Sequence, residues 1–418
     1  MRQYKFLMFT GDRFKSKSIK VIICFLAVLM FVQCKPGTGK NTEGKLVVID
    51  VTKNYPMKKL YLQDIAEVKY IPLETNDSTL LGLSFRRLYV SDDYIITINS
   101  NNKEDIFVFD GNGKSKFSFN HRGQGPTEYN YVKSLAFDEK AKEMFIFDMF
   151  TSTPRILVYA EDGKYKRTLT LIPELKEIEV YNYDDETLLV YDESDVLRYN
   201  EAEQGEYSHR PYMIISKADG SIIETLNTHL PVRITNATAW ETEKDGQTMY
   251  YSTGIPITNN RSFGKDFIIC DWSSDTIYRL TTERELQPII ARTPPMIDTD
   301  PKILLSTFLA TDKFVLLGVY DMDYDKLKNG AELTAKQLMY DFETGEISRY
   351  RFVNRDITTS TSVRMWEART PENTGVSLYN ISLLFDLDAK EELTGDLKEL
   401  MKSLDEDDNP VLMKIKFY

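Results

Sequence analysis

Cysteine is scarce in this chain, histidine is sparse, and no apolar run is long enough to span a bilayer. Three cysteines, Cys24, Cys34 and Cys270, occur in 418 residues. Two stand near the N-terminus, so Cys270 is the single thiol left for the folded part, and neither a disulfide framework nor a cysteine-based metal site can be built there. Within Phe267-Ile268-Ile269-Cys270 it reads as a small buried hydrophobe and not as a nucleophile. The three histidines, His121, His209 and His229, share no metal-ligand spacing. No Gly-x-Ser-x-Gly elbow or His-Glu-x-x-His helix appears, and the glycine-bearing segment Gly123–Tyr129 lacks the Gly-Lys-Ser/Thr ending of a phosphate loop. These absences exclude the families that carry their chemistry in a linear motif, and leave open a site gathered from loops of distant segments. Positive charge is also in deficit. The formal charge is −12, and removing residues 1–33 takes away six cations and one anion, leaving −17. Such a surface repels phosphate backbones and anionic lipid, so no nucleic-acid partner is expected.

The N-terminus is the exception to that balance. Arg2, Lys5, Arg13, Lys15, Lys17 and Lys20 precede the uncharged run Val21–Val32, VIICFLAVLMFV. Twelve residues rise about 18 Å as a helix, against roughly 30 Å of hydrocarbon, so an export signal that is cleaved is expected over residues 1–33 instead of a permanent span. Directly after it comes Phe31-Val32-Gln33-Cys34-Lys35-Pro36. This resembles the lipobox of bacterial lipoproteins, in which the cysteine is diacylated and becomes the first residue of the mature chain; Gln33 stands where a small residue is usual. The resemblance implies a lipid anchor on Cys34, and two acyl chains hold a protein stably where one does not. Residues 34–44 read as a flexible tether, and residues 45–418 as the ordered domain.

That domain has strand chemistry. The chain carries 25 tyrosines and 22 phenylalanines, and its apolar runs are short, as in Tyr94–Ile98 and Ile106–Phe109. Many runs, such as Met144–Phe147 and Phe314–Leu317, are apolar at successive positions, which places both faces of the strand in a core. Turn signals punctuate them. Asp110-Gly111-Asn112-Gly113, Glu161-Asp162-Gly163, Ala218-Asp219-Gly220 and Glu343-Thr344-Gly345 lie between β-rich segments, with weaker turns at Thr282–Glu285 and Asp408–Pro410. Six markers recur roughly every 50 to 65 residues, the period of a propeller blade of four strands. The expected fold is all-β: a six-bladed β-propeller closed by N- and C-terminal strands, with one short C-terminal helix over Lys390–Leu404. Leu46–Val51 and Val411–Phe417 are expected to join one blade, since unclosed terminal strands would leave backbone groups unpaired. A monomer is expected.

Tyr70-Ile71-Pro72-Leu73-Glu74-Thr75, Gly123-Gln124-Gly125-Pro126-Thr127-Glu128-Tyr129, Asp275–Leu280 and the ending Asp407-Asp408-Asn409-Pro410-Val411 together resemble the six-bladed propeller lipoproteins related to NHL-repeat propellers. The likeness covers essentially the whole mature domain. It implies a fold and a cell-envelope address, and carries over no catalytic residue.

In the segment His121–Tyr129, which should join the outer strand of one blade to the inner strand of the next, Arg122, Glu128 and Tyr129 could offer a ligand a charge pair and a stacking ring. The two glycines and the proline are equally what a sharp crossing requires. Asp321, Asp323, Asp325 and Glu332 reproduce the acidic positions of a calcium loop, but Lys326 stands where such a loop needs glycine, so calcium stays a possibility and no cofactor is assigned. Asp405–Asp408 reads as a solubilising turn. Two functions fit: a non-catalytic module that binds a glycan, peptide or envelope protein, and, as the alternative, a calcium-assisted hydrolase or lyase at the channel mouth. Lys35 after the cysteine, with no aspartate or acidic cluster nearby, points to the periplasmic face of the outer membrane.

Overall fold

Five of the six turn signals occupy the same place in successive antiparallel sheets. In a computed structural model of the chain, each joins the third and fourth strands of a blade, and its last turn residue is left-handed: Gly113 at φ 85°, Gly163 at 83°, Gly220 at 84°, Arg284 at 67° and Gly345 at 70°. At Gly113, Gly163 and Arg284 the turn closes three residues back, with Gly113 N–H donating to the Asp110 carbonyl (2.9 Å) and Asp110 N–H to that of Lys114 (2.8 Å); at Gly220 and Gly345 it closes four residues back, on the Ser216 and Asp341 carbonyls (2.9 Å each). Both forms end on a left-handed residue, which explains why Gly recurs at four of the five places. The structure describes residues 46–418 apart from 82–84, 100–102, 195–209, 229, 231–236, 245–246, 255–259, 324–325, 328, 330–332, 360 and 367, with the backbone alone described at 237–244 and 247–254. The expected signal segment, Cys34, the tether, His209, His229, Asp325 and Glu332 lie outside the described residues.

The blades are I (residues 85–119), II (132–170), III (178–225), IV (261–293), V (302–353) and VI, which is discontinuous. The strands expected for the first two units are found as Phe85–Val90, Tyr94–Asn99, Ile106–Asp110 and Ser115–Phe119, then Val132–Asp138, Glu143–Asp148, Arg155–Ala160 and Tyr165–Thr170. A separate hairpin, Ala237–Lys244 with Gln247–Gly254, is inserted between III and IV. Continuous apolar runs follow from the architecture, because each blade packs on both neighbours. Six core clusters fill the six junctions; Ile96, Ile98 and Val108 of blade I meet Leu135, Phe137 and Ile146 of blade II, for example. Each such side chain contributes about 1.5–3 kcal/mol of burial.

Ring closure corrects the expectation in one respect. Blade VI is the sheet of Thr374–Tyr379, Val411–Phe417 and Ala66–Pro72, so the C-terminal strand is central and pairs with an N-terminal strand on one side. That N-terminal strand is not Leu46–Val51. Val47–Asp50 runs parallel along the outer edge of blade IV, and Met57–Tyr61 does the same on blade V before the chain reaches VI. The N-terminal segment thus pairs with the outer strands of two blades on its way to the third, where it flanks the C-terminal strand. Asn409 pins the start of the closing strand: its Oδ1 accepts from Leu81 N–H (2.8 Å) and its amide donates to the Glu74 and Thr79 carbonyls (2.9 and 2.7 Å).

The expected helix over Lys390–Leu404 is found as Gly395–Met401. A second helix, Ile381–Ala389, precedes it across a turn in which Glu391 (φ 56°) is left-handed, and Gly395 (φ 57°) is left-handed at the start of the later helix. Gly395 is required there, since a Cβ would lie 2.4 Å from Asp356 Oδ1. Leu384, Leu387, Leu397 and Met401 bury against blades V and VI.

Candidate functional site

The segment singled out in the sequence does cross from blade I to blade II, and its three residues part company there. Tyr129 is fully buried in the junction of I and II, its hydroxyl donating to the Glu104 carbonyl (3.0 Å) and accepting from His121 N–H (3.0 Å). Burial pushes that hydroxyl up from its ordinary pKa. Glu128 folds back into its own turn, where its Oε2 accepts from Gly125 N–H at 2.9 Å. A Cβ on Gly123 would lie 1.9 Å from that oxygen, so glycine there is what lets the carboxylate close the loop. Arg122 is exposed. Two residues missed in the sequence clamp the crossing: Arg155 donates to the Pro126 and Glu128 carbonyls (3.2 and 2.7 Å) and pairs with buried Asp148 (2.8 Å).

Beside this crossing, at the channel end of blades I–III, backbone strain and charge converge. Among the described residues, seven non-glycine positions have positive φ, and three of them, Arg87 (58°), Glu104 (62°) and Phe150 (69°), stand here. Arg87 lies in a bulge of Phe85–Val90, where pairing with the next strand slips between Arg86 and Tyr89. A bulge breaks the two-residue alternation and lets consecutive side chains be re-aimed. Arg86 accordingly pairs with Glu104, donates to the Val132 carbonyl (2.9 Å) and covers the Tyr131 ring at 4.5 Å, while Arg87 reaches Glu179 of blade III at 3.0 Å. Glu104 is held in turn by Val132 N–H (2.9 Å).

Glu179 is the hub. Its carboxylate also receives Arg369 (3.1 Å) and the Ser134 hydroxyl (3.0 Å), and Arg369 further donates to the Leu135 and Val180 carbonyls. Ala368–Arg369 pairs with Leu88–Tyr89 as an extra inner strand, so this guanidinium ties together blades I, II and III. Burial alone would raise the pKa of Glu179, but Arg87, Lys133 and Arg369 outweigh it and hold the carboxylate below its ordinary range. Next to it Lys133 of blade II bridges Glu177 and Glu193 (2.9 Å to the latter). Burial dominates at Glu193 and pushes its carboxyl up to about 7 despite the lysine. In all these pairs the acid lies deeper: the side chains of Arg86, Arg87, Lys133 and Arg369 keep 16–23% of their surface, those of Glu104, Glu177, Glu179 and Glu193 only 2–11%. The mouth therefore shows cation to solvent on a chain of net negative charge. Phe150 sits at its rim, 75% exposed, 5.9 Å from the Tyr131 ring.

Other candidates resolve more simply. Cys270 is buried and hydrogen-bonded to the Leu305 carbonyl (3.4 Å), and burial raises its thiol pKa. Asp321 and Asp323 pair with Lys336 and Lys326 (3.0 and 2.8 Å). Among the described residues no group of three or more His, Cys, Asp or Glu is placed to hold a metal, and no helix is long and apolar enough to cross a membrane. A cleft of about 760 Å³ between blades III and IV, lined by Tyr183, Asp184, Lys265 and Asp266, is open to solvent and walled by hairpin turns.

Fold and closure define a six-bladed β-propeller with its inner edge filled by its own ion pairs. Residues 46–416 match the family described as Domain of unknown function (DUF4934), and the chain belongs to that family. A presumed exported protein of Bacteroides fragilis shares the fold, with a TM-score of 0.59 at 15% identity over 90% of this chain and 100% of that one. Looser overlaps include a protein of unknown function from Bacteroides caccae (TM-score 0.34, 8% identity, 64% of this chain and 80% of that one). Virginiamycin B lyase from Staphylococcus aureus is another (0.37, 12%, 84% and 99%). A comparison with curated proteins returns no match.

Proposed function

We propose that this chain is an exported, lipid-anchored binding module, held at the periplasmic face of the outer membrane by Cys34 and taking its ligand at the channel mouth of blades I–III. The observation that carries the site is Phe150. An aromatic residue in the left-handed region is strained by roughly 1–2 kcal/mol, and this one, apart from its contact with the Tyr131 ring, is 75% exposed, so little packing offsets the conformation. Such strain is characteristic of residues presented to a partner. The ion pairs beneath it match each acid of the mouth with a cation, as a preformed site needs. The export signal, the cysteine after it and the likeness to an exported protein support the address.

Two experiments test the two halves. Growth with an alkyne-bearing fatty acid should label the protein and leave Cys34→Ala unlabelled; equal labelling of both removes the anchor. Retention of the full chain in detergent on glycan and peptide arrays should be reduced at least tenfold by Phe150→Ala, whose exposed position leaves the fold intact. Retention indifferent to Phe150 would place binding elsewhere.

A further inference from the structure

The chemistry of the mouth narrows the ligand, on the reading that the mouth binds one. Aromatic surface is offered by Phe150 and by Tyr131, whose rings lie 5.9 Å apart, and the Arg86 guanidinium lies 4.5 Å from the Tyr131 ring. Lys133 follows two residues after Tyr131. A flat, partly apolar body can stack on the rings, and a carboxylate on that body would come within reach of cations whose own partners lie beneath them. Arginine on an aromatic face is also fixed in orientation, so it can meet a charged ligand with little further loss of rotamer freedom. An extended peptide would instead need a free strand edge, and at blade I the inner edge is already taken by Ala368–Arg369.

We infer that the channel mouth of blades I–III recognises an anionic saccharide, its sugar face stacked on Phe150 and Tyr131 and its carboxylates met by Arg86 and Lys133. The net charge of the chain sharpens the choice. An acidic protein repels polyanions in general, so a mouth whose cations lie nearer solvent than their acids selects a ligand that presents its charge at one place.

Calorimetric titration of the full chain in detergent, with a short oligogalacturonate, its fully methyl-esterified form and an oligoglutamate peptide, tests this. Expected are saturable binding of the acid form, at least tenfold weaker binding of the ester, and weakening of the acid form as salt rises from 50 to 300 mM. Phe150→Ala should weaken acid and ester alike, by tenfold or more, and Arg86→Gln should weaken the acid form selectively. Circular dichroism melts identify any loss of fold in Arg86→Gln, and Phe150→Ala carries the test if that occurs. Equal binding of ester and acid, both lost with Phe150→Ala, would keep the mouth as a site and overturn the charge requirement. Tighter binding of the peptide, or no binding of the acid form at millimolar concentration, would overturn the saccharide assignment.

Discussion

Arg369 and Glu179, 190 positions apart in sequence, meet at 3.1 Å on the inner edge of the propeller, and through them a short strand that follows blade V is tied to blades I, II and III. The pair is a geometric lock as much as an electrostatic one, because the same guanidinium also satisfies two backbone carbonyls and stands 4.5 Å from the Tyr181 ring. Glu179 in its turn is shared with Arg87, so the lock has a second cation.

Removing one partner of a buried pair is far worse than never having had it. Arg369→Met should destabilise the protein by about 3 kcal/mol, at the lower end for such losses because Arg87 remains on Glu179. Arg369→Lys should recover only part, since an ammonium cannot serve the carboxylate and both carbonyls in one plane. Urea midpoints measure both. A midpoint unchanged in Arg369→Met contradicts the lock.

Glu193 gives the fold a pH dependence of definite sign. Its folded pKa, about 7, is above the ordinary value of 4.5, so the folded state holds the proton more tightly than the unfolded one. The stabilisation is fully present below about 4.5 and is lost as pH rises through about 7. Lys133, Glu179 and Glu177 are the charges that face it. Glu372 and Asp356 are raised as well, so the informative quantity is the difference between proteins. Glu193→Gln should lose less stability than the natural chain between pH 5 and 8 in urea titrations; parallel slopes contradict the assignment.

The hairpin glycines separate conformational strain from steric collision. At Gly345 (φ 70°) a Cβ would meet its nearest atom at 4.0 Å, so Gly345→Ala should cost only the left-handed penalty of about 1 kcal/mol. At Gly113 (φ 85°) the Cβ would lie 2.1 Å from the Pro72 carbonyl oxygen, on the closing blade. Gly113→Ala should therefore lower the melting temperature by clearly more than Gly345→Ala. Equal shifts would mean that the contact between blades I and VI yields freely.

The same residues show what could be read in advance. Blade number and the strands of blades I and II were legible because a left-handed hairpin position strongly favours glycine, and five blades share that turn. Closure was legible in kind but not in detail. Val47–Asp50 and Ala66–Pro72 both have strand chemistry, and burial of one face does not state which neighbour covers it; Val48 is in fact 57% exposed on an outer edge. The C-terminal helix starts only at Gly395, where Asp356 from a distant segment comes close, and no local signal marks that contact. The mouth was the least legible. Arg87, Glu104 and Phe150 are left-handed without being glycine or asparagine, so no residue preference announces them, and the partners of Glu179 come from three separate stretches of chain. Arg122, Glu128 and Tyr129 are more conspicuous in the sequence, through neighbouring glycines and a proline that serve the crossing.

On the proposed function, the mouth holds Phe150 in a strained conformation for the sake of a ligand. Phe150→Gly and Phe150→Ala both remove the ring, but only glycine relieves the left-handed backbone. Thermal unfolding of the two should show Phe150→Gly more stable than Phe150→Ala by about 1 kcal/mol and at least as stable as the natural chain, with ligand retention lost in both. A glycine variant that is no more stable than the alanine variant, or that retains ligand like the natural chain, would contradict it.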